Sequence, residues 1–349
     1  MRNTEIKGEL QMKRVTIKEV AKAAGVSITT VSHTLSGGGA ISQQTREHVM
    51  EVVERMHYVA DFKGQNLKAK STKVIGLFVK SLRGSYYGDL AQAIYEEGSN
   101  AGYGLNVFIA SQSDKIMVDI MNGRIDGAIV LNDGITGKEE ELLREHEIPV
   151  VFLDRESADY HMSSVIFDSF EDGRLAGEYL LNLGYKRFAH IYGEKNNYDS
   201  IERLRGFRYA LEQAGVTIPE EYILQGDFDK ETARCSVEAF IEESKYPMPE
   251  AVFASNDLSA FGCIEGLQAK GYRVPEDVSV IGCDDIELCE WYIPKLTTIH
   301  NSFSEQGRKA MQMLLTMIEG NGKGEIVKLS GRIVIRESCK AVFSVSQPE

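Results

Sequence analysis

Residues 15–35 read VTIKEVAKAAGVSITTVSHTL, and this stretch decides the fold of the chain's start. Thr16 and Glu19 form a T-x-x-E capping box, in which the threonine hydroxyl and the glutamate satisfy each other's orphan amides at a helix start. Ile17, Val20, Ala21 and Ala24 then recur at helical spacing and make one face apolar. Gly25 ends this helix, and Ser27 is placed to cap a second. Val31 and Leu35 point back at the first helix, which leaves Ile28, Thr29, Ser32 and His33 on the outer face. A helical hairpin buried in a core would not keep that face polar. The pattern is a helix-turn-helix, whose second helix lies in the major groove of double-stranded DNA.

Charge is divided unevenly around this motif. Residues 1–70 hold 11 Lys+Arg against 7 Asp+Glu, and the remaining residues hold 28 against 45. The net charge of −13 would argue against a polyanionic partner, but a basic head on an acidic body concentrates phosphate attraction at one end. At 349 residues there is room for two or three domains. Cys235, Cys263, Cys283, Cys289 and Cys339 form no C-x-x-C pair and no His/Cys cluster, so no metal or other cofactor is expected, and they read as thiols in a reducing compartment. No run approaches about 18 apolar residues, and residues 1–12 lack the apolar core of a secretory signal. The expected location is the cytoplasm, with no membrane partner. Residues 1–13 fit either a disordered leader or a start at Met12.

Ser42 to Met56 reads as a third helix, with Val49, Val52, Val53 and Met56 on one face. A polar linker with three lysines follows, HYVADFKGQNLKAKST over 57–72. From Lys73 the grammar changes. Short β-branched runs at Val74–Val79, Asn106–Ala110, Gly127–Leu131, Val150–Asp154, Phe188–Gly193, Ala251–Ser255 and Val278–Asp284 alternate with helical spacing, as at Leu90–Ala101, Gly173–Leu183 and Ile201–Ala214. Strands buried on both faces and joined by helices make parallel sheets, with ligands at the strands' carboxyl ends.

Thr16 to Ser32 resembles the DNA-binding head of the LacI/GalR family of repressors, T-I-K-[DE]-V-A-x-x-A-G-V-S-x-x-T-V-S. The resemblance continues through RIDGAIV, PVVFLDR, LGYKRFAHIYG, RLRGF, VFASNDLSA, VPEDVSVIGCDDI and LTTI. It implies a small all-α head joined by a hinge to an α/β core of two doubly wound parallel-sheet lobes, of the type I periplasmic-binding-protein kind. The implied boundaries are a head over 14–59, a hinge over 60–72 and an effector-binding and dimerisation core over 73–345. Within the core, the N-lobe would take about 73–168 and 298–325, and the C-lobe about 169–297 and 326–345. Two departures stand out. Only SQSDKIMVDIM separates Ala110 from Asn122, where the family has a fuller helix, and no leucine heptads follow the last strand, so a homodimer is expected rather than a tetramer.

For DNA, the resemblance assigns phosphate contacts to Thr16, Ser27 and Thr30, operator discrimination to Ile28 and Thr29, and base-edge access to Ser32 and His33. His33 stands where the family has an arginine; it offers guanine one hydrogen bond or is simply solvated. In the hinge, Leu67 matches a leucine that wedges into the minor groove when the hinge helix folds on DNA. Ala60, Asp61, Gly64 and Gln65 depart from the family there, and a plain flexible tether is the other reading. For a small-molecule effector, Tyr86 and Tyr87 match an aromatic pair after the first strand, Arg203 matches an arginine that binds hydroxyls, and Phe228 matches a pocket wall. Arg155, Asn256 and Asp284 follow strand ends. Convergent amides, carboxylates and a guanidinium between aromatic walls suit a small polyhydroxylated ligand, and a sugar is the expected effector. There is no G-x-x-x-x-G-K-[ST], no H-E-x-x-H and no strand–G-x-G-x-x-G–helix unit, so no enzyme is expected. The expectation is a dimeric repressor of a carbohydrate-utilisation operon. A purine or a phosphoprotein as corepressor, and more remotely a sugar-binding protein without a DNA role, are the alternatives.

Overall fold

A computed structural model describes residues 15–36, 38–56, 58, 71–110, 112–131 and 134–342. The chain divides into two compact units, residues 1–71 and 72–349. The leader at 1–13 and the hinge through residue 70, with Leu67, lie outside the described residues.

In the first unit, α1 (Ile17–Ala24), α2 (Ile28–Ser36) and α3 (Gln43–Arg55) close around Val20, Ala21, Ala24, Val31, Val49, Val52 and Val53. Ser42 caps α3 by accepting the Thr45 amide at 3.2 Å. Arg46 Nη1 donates to the Thr34 carbonyl at 3.2 Å and ties α3 to the end of α2.

The second unit holds two parallel sheets. The first contains β1 (Val74–Val79), β2 (Gly104–Ile109), β3 (Gly127–Leu131), β4 (Val150–Phe152), β5 (Met162–Phe167) and β11 (Ile326–Leu329), in the order β11-β5-β4-β3-β1-β2. Its helices cover both faces. Leu90 and Ile94 of α4 (Ser85–Asn100) and Met311 and Leu314 of α11 (Phe303–Ile318) pack on Ile75, Leu77 and Ile129. On the opposite face, Ile116, Met117 and Ile120 of α5 (Ser113–Met121) and Leu143 of α6 (Gly137–Glu145) pack on Phe78, Ala128 and Val130. The second sheet runs β7-β6-β8-β9, from β6 (Phe188–Tyr192), β7 (Ile223–Gln225), β8 (Ala251–Ala254) and β9 (Ser279–Ile281). With it pack α7 (Ser169–Asn182), α8 (Tyr198–Gln213), α9 (Lys230–Glu243) and α10 (Asp257–Ala269). No helix among the described residues is long and apolar enough to cross a membrane.

The lobe boundaries expected at 298 and 326 need correction. β10 (Thr298–His300) pairs antiparallel with β12 (Arg332–Val334), and bridges from Thr297 to Ile281 and from His300 to Asp284 attach it to the second sheet. β11 instead pairs with β5, Ile326 opposite Ser164, so it belongs to the first lobe. The chain therefore crosses between lobes near 168, 301 and 330 rather than at 298 and 326. The reason is physical: β11 is a half-exposed edge strand, and its alternation carries no information about which sheet it extends.

Candidate functional site

In the head, the capping box forms as read: Thr16 N donates to Glu19 Oε2 at 2.7 Å, and Glu19 N donates to Thr16 Oγ1 at 3.4 Å. Gly25 takes the left-handed conformation, φ 64°, that ends α1. Ser27 Oγ accepts the Thr30 amide at 3.0 Å and lies 2.8 Å from the Thr30 hydroxyl, which fixes the start of α2. Val31 and Thr34 face inward, whereas Ile28, Thr29 and His33 are exposed and Ser32 is half-buried. The seven described residues assigned to DNA thus lie on the start of α1, the cap of α2 and α2 itself. Gly39, which the sequence marks only as part of a loop after the second helix, is close to His33: a β-carbon there would meet the ring, 2.6 Å from Nδ1. The loop after α2 is therefore packed against His33, and its glycine leaves room for the imidazole.

In the second unit, a cavity of about 260 Å³ opens at the carboxyl ends of both sheets. Lys80 and Arg83 reach it from the β1–α4 connection, Tyr86 and Tyr87 from the first turn of α4, Leu131, Asp154 and Phe167 from the ends of β3, β4 and β5, and Phe303 from the start of α11. The second lobe contributes Glu194, Asn197, Asp199 and Arg203 after β6, Phe228 after β7, Asn256 and Leu258 after β8, and Asp284 and Ile286 after β9. This is where parallel-sheet topology puts ligands.

Arg203 is the centre of its polar side. It is 4% exposed, donates from Nη1 to the Ser255 carbonyl at 2.5 Å, and places Nη2 3.6 Å from Asp284 Oδ1. Burial opposes its charge, yet Cys283, Asp284, Asp199 and Asp172 hold the guanidinium protonated above its ordinary range. Burial raises the Asp284 carboxyl well above the usual range, against the pull of Arg203 and helped by Asp257, Asp199 and Asp172. Asp284 and Phe228 both carry positive φ, 120° and 57°, a strain that the surrounding structure sustains. Asn256 caps α10 by accepting the Ser259 amide at 2.9 Å and donates to the Phe228 carbonyl at 3.2 Å, so the cap also orients an aromatic wall.

On the opposite wall, Gln306 is fully buried and donates to the carbonyls of Leu153 and Val165 at 3.3 and 2.9 Å. Its Oε1 accepts the Tyr86 hydroxyl at 2.9 Å. With its phenol tied down, Tyr86 stacks edge-on against Tyr87 and Phe303, centroids 5.2 and 4.5 Å away. Lys80 and Glu194 meet at 2.7 Å and join the two lobes at the cleft.

Six of the seven residues expected at the effector site line this cavity: Tyr86, Tyr87, Arg203, Phe228, Asn256 and Asp284. Arg155 does not. Asp154 lines the cleft, whereas Arg155, in the bend after β4, is held off it by Asp154 at 2.9 Å, by Glu140 at 3.3 Å, by the Ile135 carbonyl to which it donates and by the Phe152 ring over which it lies. Sequence reasoning missed Asn197 and Asp199. A signal existed for Asp199, which precedes Arg203 by four residues and so shares its helix face.

Residues 16–61 match the family of bacterial regulatory proteins called lacI, and residues 178–339 match the periplasmic binding protein-like domain. The HTH-type transcriptional repressor PurR of Vibrio cholerae serotype O1 is 34% identical over 332 residues, covering 93% of this chain and 98% of its own length. The chain belongs to the lacI family. Like its full-length relatives it is a DNA-binding transcriptional repressor and not an enzyme. Among solved structures it is similar to the Lac repressor dimer bound to operator and the anti-inducer ONPF, with a TM-score of 0.80 and 26% identity over 94% of this chain and 100% of that one. It is also similar to the transcriptional regulator CelR in complex with cellobiose, with a TM-score of 0.70 and 26% identity over 93% and 100% of the two chains.

Proposed function

We propose that this repressor controls a carbohydrate-utilisation operon as a homodimer and that a small polyhydroxylated effector in the cleft sets its operator affinity. The observation that carries the reading is the convergence of Arg203, Asp199, Asp284, Asn197 and Asn256 on one small cavity with aromatic walls. Guanidinium and amide donors lie together with carboxylate acceptors there, as a polyhydroxylated ligand requires, and Tyr86 and Phe228 supply aromatic lining beside them. The effector biases lobe closure, and linkage makes its binding and operator binding change each other by the same factor. Exposed Leu288, Trp291 and Ile293 support pairing with a second copy, since they leave apolar surface on the second lobe.

The second reading is a purine. The aromatic side chains Tyr86, Phe228 and Phe303 would suit a planar ring, and full-length relatives carry the name PurR. A thermal-shift screen over sugars, sugar phosphates and purines decides between them. A ligand at 100 times its dissociation constant adds about 2.7 kcal/mol of stability. Stabilisation by purines alone would overturn the sugar assignment, and stabilisation by none of the classes would overturn the cleft as effector site.

A further inference from the structure

All three chain crossings between the lobes meet around one buried carboxyl. Asp172, on the first turn of α7 just after the first crossing, is fully buried. Asn301, on the second crossing, is 3% exposed and donates from Nδ2 to Asp172 Oδ2 at 2.9 Å and to Cys283 Sγ at 3.4 Å. Gly331 lies on the third crossing. A β-carbon on it would collide with Asp172 Oδ1 and stand 2.9 Å from Asn301 Oδ1, so both oxygens face the same small space. Neither oxygen has a hydrogen-bond donor among the described residues.

Two buried acceptors turned toward one point are costly unless a proton lies between them. An ionised carboxylate has none to give, and the asparagine amide is already committed through Nδ2. A protonated carboxyl supplies what is missing. We propose that Asp172 is a proton-linked clasp of the hinge: its carboxyl takes a proton from solvent and donates it through Oδ1 to Asn301 Oδ1, while Asn301 Nδ2 donates back to Oδ2, and this paired ring holds the three crossings together. Gly331 is the residue that leaves room for it.

The groups around Asp172 pull both ways. Asp168 at its own helix cap and Asp199 on α8 disfavour a second negative charge, whereas the Asn301 amide and the Cys283 thiol, which donates to Oδ2 at 3.9 Å, favour the anion. Arg203 favours the anion but is engaged with Ser255 and Asp284. Burial prevails and lifts the carboxyl to about 6. A clasp of this kind is closed below that pH and opens as the pH rises through it.

The test follows the full-length chain without any effector. Carboxyl-carbon magnetic resonance of 13C-aspartate-labelled protein should show a resonance titrating near pH 6 that vanishes in Asp172→Asn. The unfolding midpoint of wild type should fall relative to Asp172→Asn between about pH 4 and 6 and level off above, because the unfolded carboxyl ionises near about 4 while the folded one keeps its proton to about 6, and the amide supplies its own hydrogen to Asn301 at every pH. Should Asp172→Asn not fold, Asn301→Ala replaces it: the Asp172 resonance remains and its titration midpoint must move, since the carboxyl loses the partner with which it shares the proton, and an unmoved midpoint overturns the ring. A water molecule donating to both oxygens is the competing arrangement. It would leave Asp172 ionised at pH 5, give parallel profiles for wild type and Asp172→Asn, and overturn the proposal.

Discussion

The carbonyl oxygen of Arg203 occupies the space that a β-carbon on Gly173 would need. The reciprocal contact lies close by, where the Phe170 carbonyl fills the space beside Gly206. Helices α7 and α8 therefore touch backbone to backbone, and the residue that anchors the polar side of the cleft is set by main-chain packing rather than by side-chain fit.

Gly206→Ala should accordingly destabilise the core by about 3 kcal/mol or more, at the upper end of overpacking costs, because the obstacle is a carbonyl and not a movable side-chain tip. Urea unfolding measures this. A change below about 0.5 kcal/mol would show that the two helices are not held as described.

Arg203→Ala removes the cation beside Asp284 and the donor to the Ser255 carbonyl. The expected cost is about 1–3 kcal/mol of stability. Operator affinity without effector should change little, while response to the stabilising compound from the screen should be lost. Calorimetry and gel-shift on the same preparation check both halves. An unchanged effector affinity would remove Arg203 from the site.

His190 is fully buried, with Nε2 3.1 Å from the Ser255 hydroxyl and its ring against Phe207 and Phe253. Burial pushes its pKa down to about 3. The unfolded chain, with an imidazole near 6.5, therefore binds a proton that the folded chain rejects. The resulting stability is present above about pH 6.5 and is lost as pH falls towards 3, at up to about 1.4 kcal/mol per pH unit. Replacing the histidine with phenylalanine should flatten that part of the stability profile. Identical slopes for the two proteins would mean that His190 is solvated.

His33→Arg should tighten binding to an operator with guanine at the contacted position and raise discrimination there by about 1–3 kcal/mol, since a guanidinium makes the two-pronged contact that imidazole cannot. Competition gel-shifts with single base-pair substitutions report it. Uniform tightening on every duplex would instead mean that position 33 meets phosphate.

Much of this was legible in the residues. The capping box, the glycine turn and the inward Val31 follow from short-range rules, and they recur in the head as written. β1 and β3 match their predicted limits to the residue, because a buried parallel strand is a continuous apolar run between polar breaks. β11 and β7 were harder. The first was given to the wrong lobe and the second, three half-exposed residues, was not seen at all, since neither carries enough apolar signal to name a partner. In the cleft, Arg203 and Asp284 were found through resemblance and strand ends. Arg155 was placed there wrongly because a strand's end says where the backbone is, whereas Asp154, Glu140 and the Ile135 carbonyl decide which way the side chain turns.

The threefold crossing also sets an order for biosynthesis. The second sheet is completed from a continuous span, β6 to β9, while the first sheet waits for α11 and β11 near the end of the chain. The lobe that emerges first from the ribosome thus waits for a segment made only after the second sheet's four strands. Until Phe303–Leu329 arrives, the side of β1 and β3 that Met311 and Leu314 later cover stays without its lid. That interval is when the nascent repressor is most in need of a chaperone and most exposed to aggregation.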